Sequence, residues 1–303
     1  SKPQDKTDTP PQTSPTDSGN EGSTQTGDDS QEDQQQHDNQ SDDTPTDNTS
    51  THGTDTDTRT KIKCDKLAEF SSYASTFRDE VKIALKQGGF EVMSPDPANV
   101  GLVHTKLTKS AFDSLNIEEG DVGLEISAFH EGLSLFDGED TLALSRSNEG
   151  HSQHVTDGDL SFNFGFINPE HIETQEELPE IEYAVDVEIE TDELDQMISA
   201  ADMVGDTLTI ASDEANKTVT IKSSGKEDTT EKTFSTEDIN IHRITDSIET
   251  IYSLDYLKDI KSKIHNSVDT IRLQAGDEMP VEIEINDDHI KTNYLLAPRI
   301  EDD

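Results

Sequence analysis

The sequence repeats itself. At an offset of 127 residues, Ile62, Leu67, Phe70, Ala74, Phe77, Val81 and Ile83 are matched by Ile189, Leu194, Met197, Ala201, Val204, Leu208 and Ile210. A match of this length implies two similar domains in one chain, each burying the same face. Within each copy the spacing changes character. Positions 67, 70, 74 and 77, like 194, 197, 201 and 204, recur at the helical period, whereas 81 and 83, or 208 and 210, alternate as on a strand. Each copy thus predicts strand, helix, strand, with Asp65 and Thr191 placed to cap the helices. A second helix-then-strand unit follows in each half, at 127–136 before 141–144 and at 253–264 before 270–273. There the offset drifts by about two, and Gly132 weakens the first of these helices. Residues 101–107, 160–167, 218–222 and 281–285 read as further strands. Such an order is α+β rather than alternating βαβ.

Charge sets the environment. The chain has 67 acidic and 23 basic residues, a formal charge of -44, and no Trp. High charge with low hydrophobicity argues for disorder, and residues 1–60, built from Asp, Thr, Ser, Gln, Gly, Asn and Pro, are expected to form a disordered acidic tail. From 61 onward the apolar pattern is regular. Carboxylates spread through every segment suit a folded protein in concentrated salt, where repulsion is screened, better than an acidic nucleic-acid mimic, whose charge would gather on one face. Sequons at Asn39 and Asn48 allow a second reading, a halophilic surface or secreted adhesion or binding domain on a disordered stalk. No apolar run reaches the roughly 18 residues of a membrane span, and no signal-peptide core opens the chain, so a cytoplasmic location is expected.

Catalytic signatures are missing from the sequence. It contains no Gly-rich phosphate loop, nucleophile elbow or zinc pair of standard spacing. His151 and His154 with Asp157 make a metal-like cluster, but they lie in a polar loop and fall short of four converging ligands. Cys64 is alone, which excludes a disulfide framework, and it reads as a small hydrophobe in a strand. No enzyme and no metal site are expected.

Three segments carry a resemblance. The chain ends in Asn293-Tyr-Leu-Leu-Ala-Pro-Arg-Ile-Glu-Asp-Asp303, an apolar strand running into Pro298, where ladder pairing should stop. Upstream lies Met93-Ser-Pro-Asp-Pro-Ala-Asn-Val-Gly-Leu-Val103. A long connection, 168–183, joins the halves through two prolines and alternating carboxylates, well beyond the usual median of about 4–6 residues. These segments resemble proliferating cell nuclear antigen, the DNA sliding clamp, in its haloarchaeal form and with an added N-terminal extension. The resemblance implies clamp domain 1 over 61–168, an interdomain connector over 169–183 and clamp domain 2 over 184–303. Each domain would be antiparallel sheet with both helices on one face.

The function implied is a ring-forming processivity factor, a homotrimer that encircles double-stranded DNA without reading sequence and docks replication and repair enzymes. Short peptide motifs of DNA polymerase, flap nuclease, ligase and clamp loader would enter a pocket built from Val100, Gly101 and Leu102 of the upstream loop. Leu178, Pro179 and Ile181 of the connector would add to it, with Pro280 and the terminal Tyr294, Leu295, Ala297 and Pro298. The DNA-facing surface would include Lys66, His130, Lys258, Lys261, Ser262 and Lys263, touching phosphates rather than bases. On the helix after 254, Leu257, Ile260 and Ile264 form the apolar stripe. No cofactor is implied beyond bound monovalent cations, no membrane is involved, and the location is the cytoplasm, at the nucleoid.

Overall fold

The computed structural model describes residues 59–146, 150–175 and 177–300. The expected disordered tail and both sequons lie outside them, but its boundary is corrected: Thr60 is already buried in the first strand. The first half of the described chain contains β1 (Thr60–Lys63), α1 (Cys64–Ala74), β2 (Glu80–Lys86), β3 (Gly89–Pro95), β4 (Gly101–Thr108) and β5 (Phe112–Ser114). It continues with β6 (Gly120–Glu125), α2 (Ile126–Leu133), β7 (Thr141–Arg146), β8 (Ser152–Thr156) and β9 (Ser161–Gly165). The second half contains β10 (Val185–Glu190), α3 (Thr191–Asp202), β11 (Thr207–Asp213), β12 (Thr218–Ser224), β13 (Thr229–Phe234) and β14 (Asn240–Ile244). Then come β15 (Glu249–Ser253), α4 (Leu254–Lys263), β16 (Thr270–Ala275), β17 (Val281–Asn286) and β18 (Ile290–Leu296).

The duplication is visible in the sheets. One half orders its strands β5-β1-β7-β8-β9 and β4-β3-β2-β6, and the other β14-β10-β16-β17-β18 and β13-β12-β11-β15. Position by position the two lists correspond. They are joined at one seam, where β18 pairs antiparallel with β4 from Ile290↔Leu107 to Leu296↔Gly101, fusing two four- and five-stranded sheets into one of nine. Helices α1 and α2 pack together, as do α3 and α4, over a core containing Leu67, Phe70, Leu194, Met197, Leu257 and Ile260.

Several local expectations change. Phe77 and Val204 lie in the turns after α1 and α3 rather than on them. Cys64 opens α1 instead of sitting in a strand; burial first, then Asp65, Asp140 and Asp137, pushes its thiol up to about 11. Neither Asp65 nor Thr191 caps a helix: the cap positions are Lys63 and Glu190, without side-chain bonds. The orphan N–H groups are satisfied by backbone carbonyls instead. Cys64 donates to Asp140, Ile126 to Asp79, Thr191 to Asp269 and Leu254 to Asp206, at 2.7–3.0 Å. All four acceptors are aspartates in equivalent loops, so each helix start is tied to the neighbouring unit and needs no cap residue.

Gly132 also finds its reason in packing. A Cβ there would stand 2.6 Å from Cζ of Phe164, whose ring packs edge-on against Phe129 at 4.9 Å. The glycine lets β9 approach α2, which outweighs its helix cost of about 1 kcal/mol.

Candidate partner groove and helical face

The seam lays a strip of apolar side chains on one face of the nine-stranded sheet. Leu295 of β18 stands opposite Leu102 of β4, flanked by Glu282 of β17 and Pro95 of β3. Both leucines are largely buried, at 6% and 7% exposure, while Val100, Ala297 and Pro298 are half-buried. The ladder with β4 ends at Leu296↔Gly101, ahead of Pro298 as expected, and only single bonds follow. Ala297 N–H donates to Val100 carbonyl at 2.8 Å, and after the proline Arg299 N–H donates to Ile251 carbonyl at 2.7 Å. The tail thus steps from β4 to β15, and Arg299 fixes the step through Asp206 at 2.9 Å. Tyr294 does not line the strip. It is wholly buried, its hydroxyl shared with Thr76 at 3.0 Å and its ring edge-on to Phe77.

The loop before β4 is held by a residue the sequence reading did not single out. Asp96 is 3% exposed, and Oδ1 accepts N–H from Val100 and Gly101, while Oδ2 accepts Ala98 N–H at 2.9 Å and the Tyr256 hydroxyl at 2.8 Å. Burial alone would raise its pKa, but the bonds from Gly101, Ala98, Tyr256 and Val100 outweigh burial and hold the carboxyl below its usual range. Asn99 takes the left-handed conformation, φ 57°, that this turn requires. Gly101 is fixed by sterics: an added Cβ would lie 2.9 Å from Cζ of Phe77. Phe77 in turn meets Tyr256 of α4, ring centroids 5.9 Å apart. Pro-Asp-Pro-Ala-Asn already signals an Asx turn; that its carboxylate also reaches α4 has no sequence signal.

The connector is anchored at both ends. Arg78 bonds Pro95 carbonyl and Glu173, each at 2.6 Å, and the Thr174 hydroxyl bonds Met93 carbonyl at 2.7 Å. At the far end Tyr183 is buried beside Glu282. Between them the chain passes from β3 to β17, hence past β4 and β18, a width of roughly 14 Å. Leu178 and Ile181 are half-buried and Pro179 is exposed on that passage. Pro280 precedes the Val281↔Leu296 pair, next to Ala297.

The helices present a different chemistry. Together they carry nine carboxylates and four lysines. Each lysine is engaged: Lys66 with Glu69 at 3.4 Å, Lys258 with Asp202 at 2.8 Å, Lys261 with Asp195 at 2.6 Å and Lys263 with the Ser75 hydroxyl at 3.2 Å. Ser262 donates back to Asp259 carbonyl. His130 is disfavoured as a cation. Burial depresses its pKa, and its Nδ1 lies 2.9 Å from Ser71 Oγ and 3.1 Å from Ala68 carbonyl. A polyanion would approach this face only with counterions between.

Around the sequence's metal-like cluster, His154 Nδ1 meets Asn163 at 3.0 Å, and Asp157 accepts N–H from Asp159 and Leu160 in a tight turn. Among the described residues no group of three or more His, Cys, Asp or Glu converges to hold a metal. Nor, among them, is any helix long and apolar enough to cross a membrane.

No protein-family model matches the chain. It is 27% identical over 242 residues to the DNA polymerase sliding clamp of Haloarcula marismortui, covering 79% of this chain and 97% of that one. To the DNA polymerase sliding clamp of Natronomonas pharaonis it is 28% identical over 246 residues, 80% and 98% of the two chains. The chain is thus similar, over nearly their whole length, to DNA polymerase sliding clamps. Solved structures share its fold: PCNA of A. fulgidus, bound to the C-terminal region of FEN-1, matches with a TM-score of 0.73 at 22% identity, over 80% of this chain and all of that one. The PCNA2–PCNA3 complex of Sulfolobus tokodaii matches with a TM-score of 0.69, again at 22% identity, over 80% of this chain and 100% of that one. The adhesion reading gains no support from these matches.

Proposed function

We propose that this chain is a sliding clamp: a non-enzymatic ring that encircles duplex DNA and holds polymerases, flap nucleases, ligases and the clamp loader near it through short peptides. It works in the cytoplasm, at the nucleoid. A threaded ring keeps its client at high effective concentration without gripping any base. The seam carries this reading. By the order of the strands, β9 stands where β18 stands in the other half, and β13 where β4 stands; both are outermost in their sheets. A second copy can therefore repeat between chains the pairing that β18 and β4 make within one, and such head-to-tail contacts close into rings. The resemblance to clamps implies three copies.

The register transfers as well. Following the ladders from β1 to β9 and from β10 to β18 equates Asn163 with Leu295; following β2 to β4 and β11 to β13 equates Thr229 with Leu102. Leu295 opposes Leu102, so Asn163 should oppose Thr229 of the next copy. This leaves the apolar strip at the seam alone, where Val100, Gly101, Leu102, Leu295, Ala297 and Pro298, with Leu178, Pro179, Ile181 and Pro280, form the client groove above a buried Tyr294. Lys66, His130, Lys258, Lys261, Ser262 and Lys263 remain the residues nearest the duplex, with monovalent cations supplying the charge their carboxylate partners cancel.

The test is a chain carrying Asn163→Cys and Thr229→Cys, oxidised in molar KCl, where the Debye length is about 3 Å and repulsion between chains of this charge is screened. Directly opposed residues lie about 4.5–5.5 Å apart, within disulfide range, and the raised pKa of buried Cys64 keeps it out of the reaction. A covalent trimer is expected by denaturing electrophoresis. Failure to cross-link, with a monomeric mass by light scattering at every salt concentration, refutes the ring.

A further inference from the structure

Five large apolar side chains stand well exposed among the described residues: Leu135, Leu160, Met203, Met279 and Ile300. Met203, in the turn after α3, is 86% exposed, and Leu135, in the turn after α2, is 64% exposed. Leu160 stands just before the edge strand β9. Singly exposed apolar residues need no explanation. These three need one, because the equivalence of the two halves brings them to a single place between copies.

The seam supplies each with a counterpart. On its helix side the turn after α1 packs against α4 and β18: Lys263 bonds the Ser75 hydroxyl at 3.2 Å, and Thr76 shares a hydrogen bond with the Tyr294 hydroxyl at 3.0 Å. Further along the ladder, Thr105 and Thr292 share a hydroxyl bond at 2.8 Å. The sequence repeat carries Ser75 and Thr76 to Asp202 and Met203. Helices α2 and α4 start alike, Ile126 on the Asp79 carbonyl and Leu254 on the Asp206 carbonyl, and counting along from those starts carries Lys263 to Leu135. The register that equates Asn163 with Leu295 carries Tyr294 to Phe162 and Thr292 to Leu160; the one that equates Thr229 with Leu102 carries Thr105 to Lys232. Each polar pair of the seam thus becomes, between copies, a pair with an apolar member. Met203 meets Phe162, Leu135 meets the turn of Asp202 and Met203, and Leu160 meets Lys232. The Lys232 stem already runs over its own Phe234 at 5.3 Å while its ammonium bonds Glu193, so methylenes face the newcomer.

We propose that ring closure is carried by an apolar contact on the helix side of the edge strands, with Met203 of one copy seated against Leu135 and Phe162 of the next and Leu160 laid on Lys232. The proposal rests on the ring reading above and names the side chains that recognise the next copy. The change from polar to apolar follows from what each contact must do. The seam lies within one chain, so its halves lose no translational freedom on meeting and hydroxyl pairs suffice. A contact between copies must offset that loss. In molar salt exposed ion pairs are screened, whereas apolar burial is not. Methionine suits the position, because its flexible thioether packs well against ring edges. The two surfaces also differ, Met203 on one edge and Leu135 with Phe162 on the other, so a copy binds head to tail.

The full chain in molar KCl is exposed briefly to hydrogen peroxide, which transfers one oxygen to a thioether sulfur and leaves the sulfoxide and water. Mass spectrometry reads each methionine, with Met279 as the internal reference. In a single copy Met203, 86% exposed against 38% for Met279, should oxidise faster. In the assembled ring it should oxidise several-fold slower than Met279, and dilution to the monomer mass by light scattering should restore the first order. Met203→Ser and Leu135→Ser should each raise the concentration of half-assembly about tenfold or more, the loss of one buried apolar side chain per contact. Met279→Ser should leave it unchanged. Both substituted positions are exposed in a single copy, so urea unfolding of the diluted chain should not move, which separates assembly from folding. A ring in which Met203 stays as reactive as in the monomer, or in which both serine variants assemble like the unmodified chain, overturns the proposal while the ring stands. A monomer at every salt concentration overturns the ring reading and this proposal with it.

Discussion

Replacing Asp96 by Ala removes one carboxylate and strands four donors: the N–H groups of Ala98, Val100 and Gly101 and the hydroxyl of Tyr256. Bonds to a charged acceptor contribute roughly 1.5–3 kcal/mol each. Ala98 is exposed, and its N–H can turn to water. Val100 and Gly101 cannot without lifting the loop off Phe77, so two bonds are lost outright, and the expected destabilisation is about 4 kcal/mol. Asp96→Asn keeps an acceptor for Val100 and Gly101 but turns a donor toward Ala98 N–H, so it should cost about 2 kcal/mol, within the penalty range for an unsatisfied pair. Urea unfolding followed by circular dichroism in molar KCl measures both. The pH dependence follows from the lowered pKa. A carboxyl whose folded pKa is depressed stabilises above its unfolded value of about 3.9, and that contribution fades as pH falls through the folded value. The gap between the unmodified chain and Asp96→Asn should therefore close in acid. Asp96→Ala within about 0.5 kcal/mol of the unmodified chain, the usual range of an inconsequential surface change, would refute the view that this carboxylate holds the loop.

Gly132→Ala should destabilise by about 1–3 kcal/mol despite the better helix propensity, because the new Cβ meets the Phe164 ring and overpacking costs that much; a rise in the thermal midpoint would contradict it. Leu194→Ala, in the core at 3% exposure, should cost about 2–5 kcal/mol of stability. Leu178→Ser, half-buried on the connector, should instead weaken client-peptide binding by about 2 kcal/mol or more with little change in unfolding, and calorimetry beside thermal scans separates the two outcomes.

What the sequence determined by itself was whatever repeats or alternates. The 127-residue offset imposed two equivalent halves because the same apolar spacing must bury the same face, and Leu67 with Leu194, or Leu208 with Val81, occupy matching core positions. Strands β4, β12 and β17 were legible from alternation, and the groove's terminal strand from its apolar run into Pro298. Contacts between segments far apart in sequence were decided only by the tertiary structure. The helix starts looked as if they needed Asp65 and Thr191, but backbone carbonyls from loops up to 78 residues away supply the acceptors. Gly132 looked like a defect until Phe164 was beside it. Tyr294 looked like groove wall, yet pairing of β18 with β4 turns it inward onto Thr76, since a one-residue step on a strand exchanges faces. The lysines of α4 read as a phosphate-binding row, and only the packing of α3 against α4 shows that Asp202 and Asp195 neutralise two of them. Local periodicity is a property of neighbours along the chain; cancellation of charge, close approach and backbone capping depend on neighbours in space.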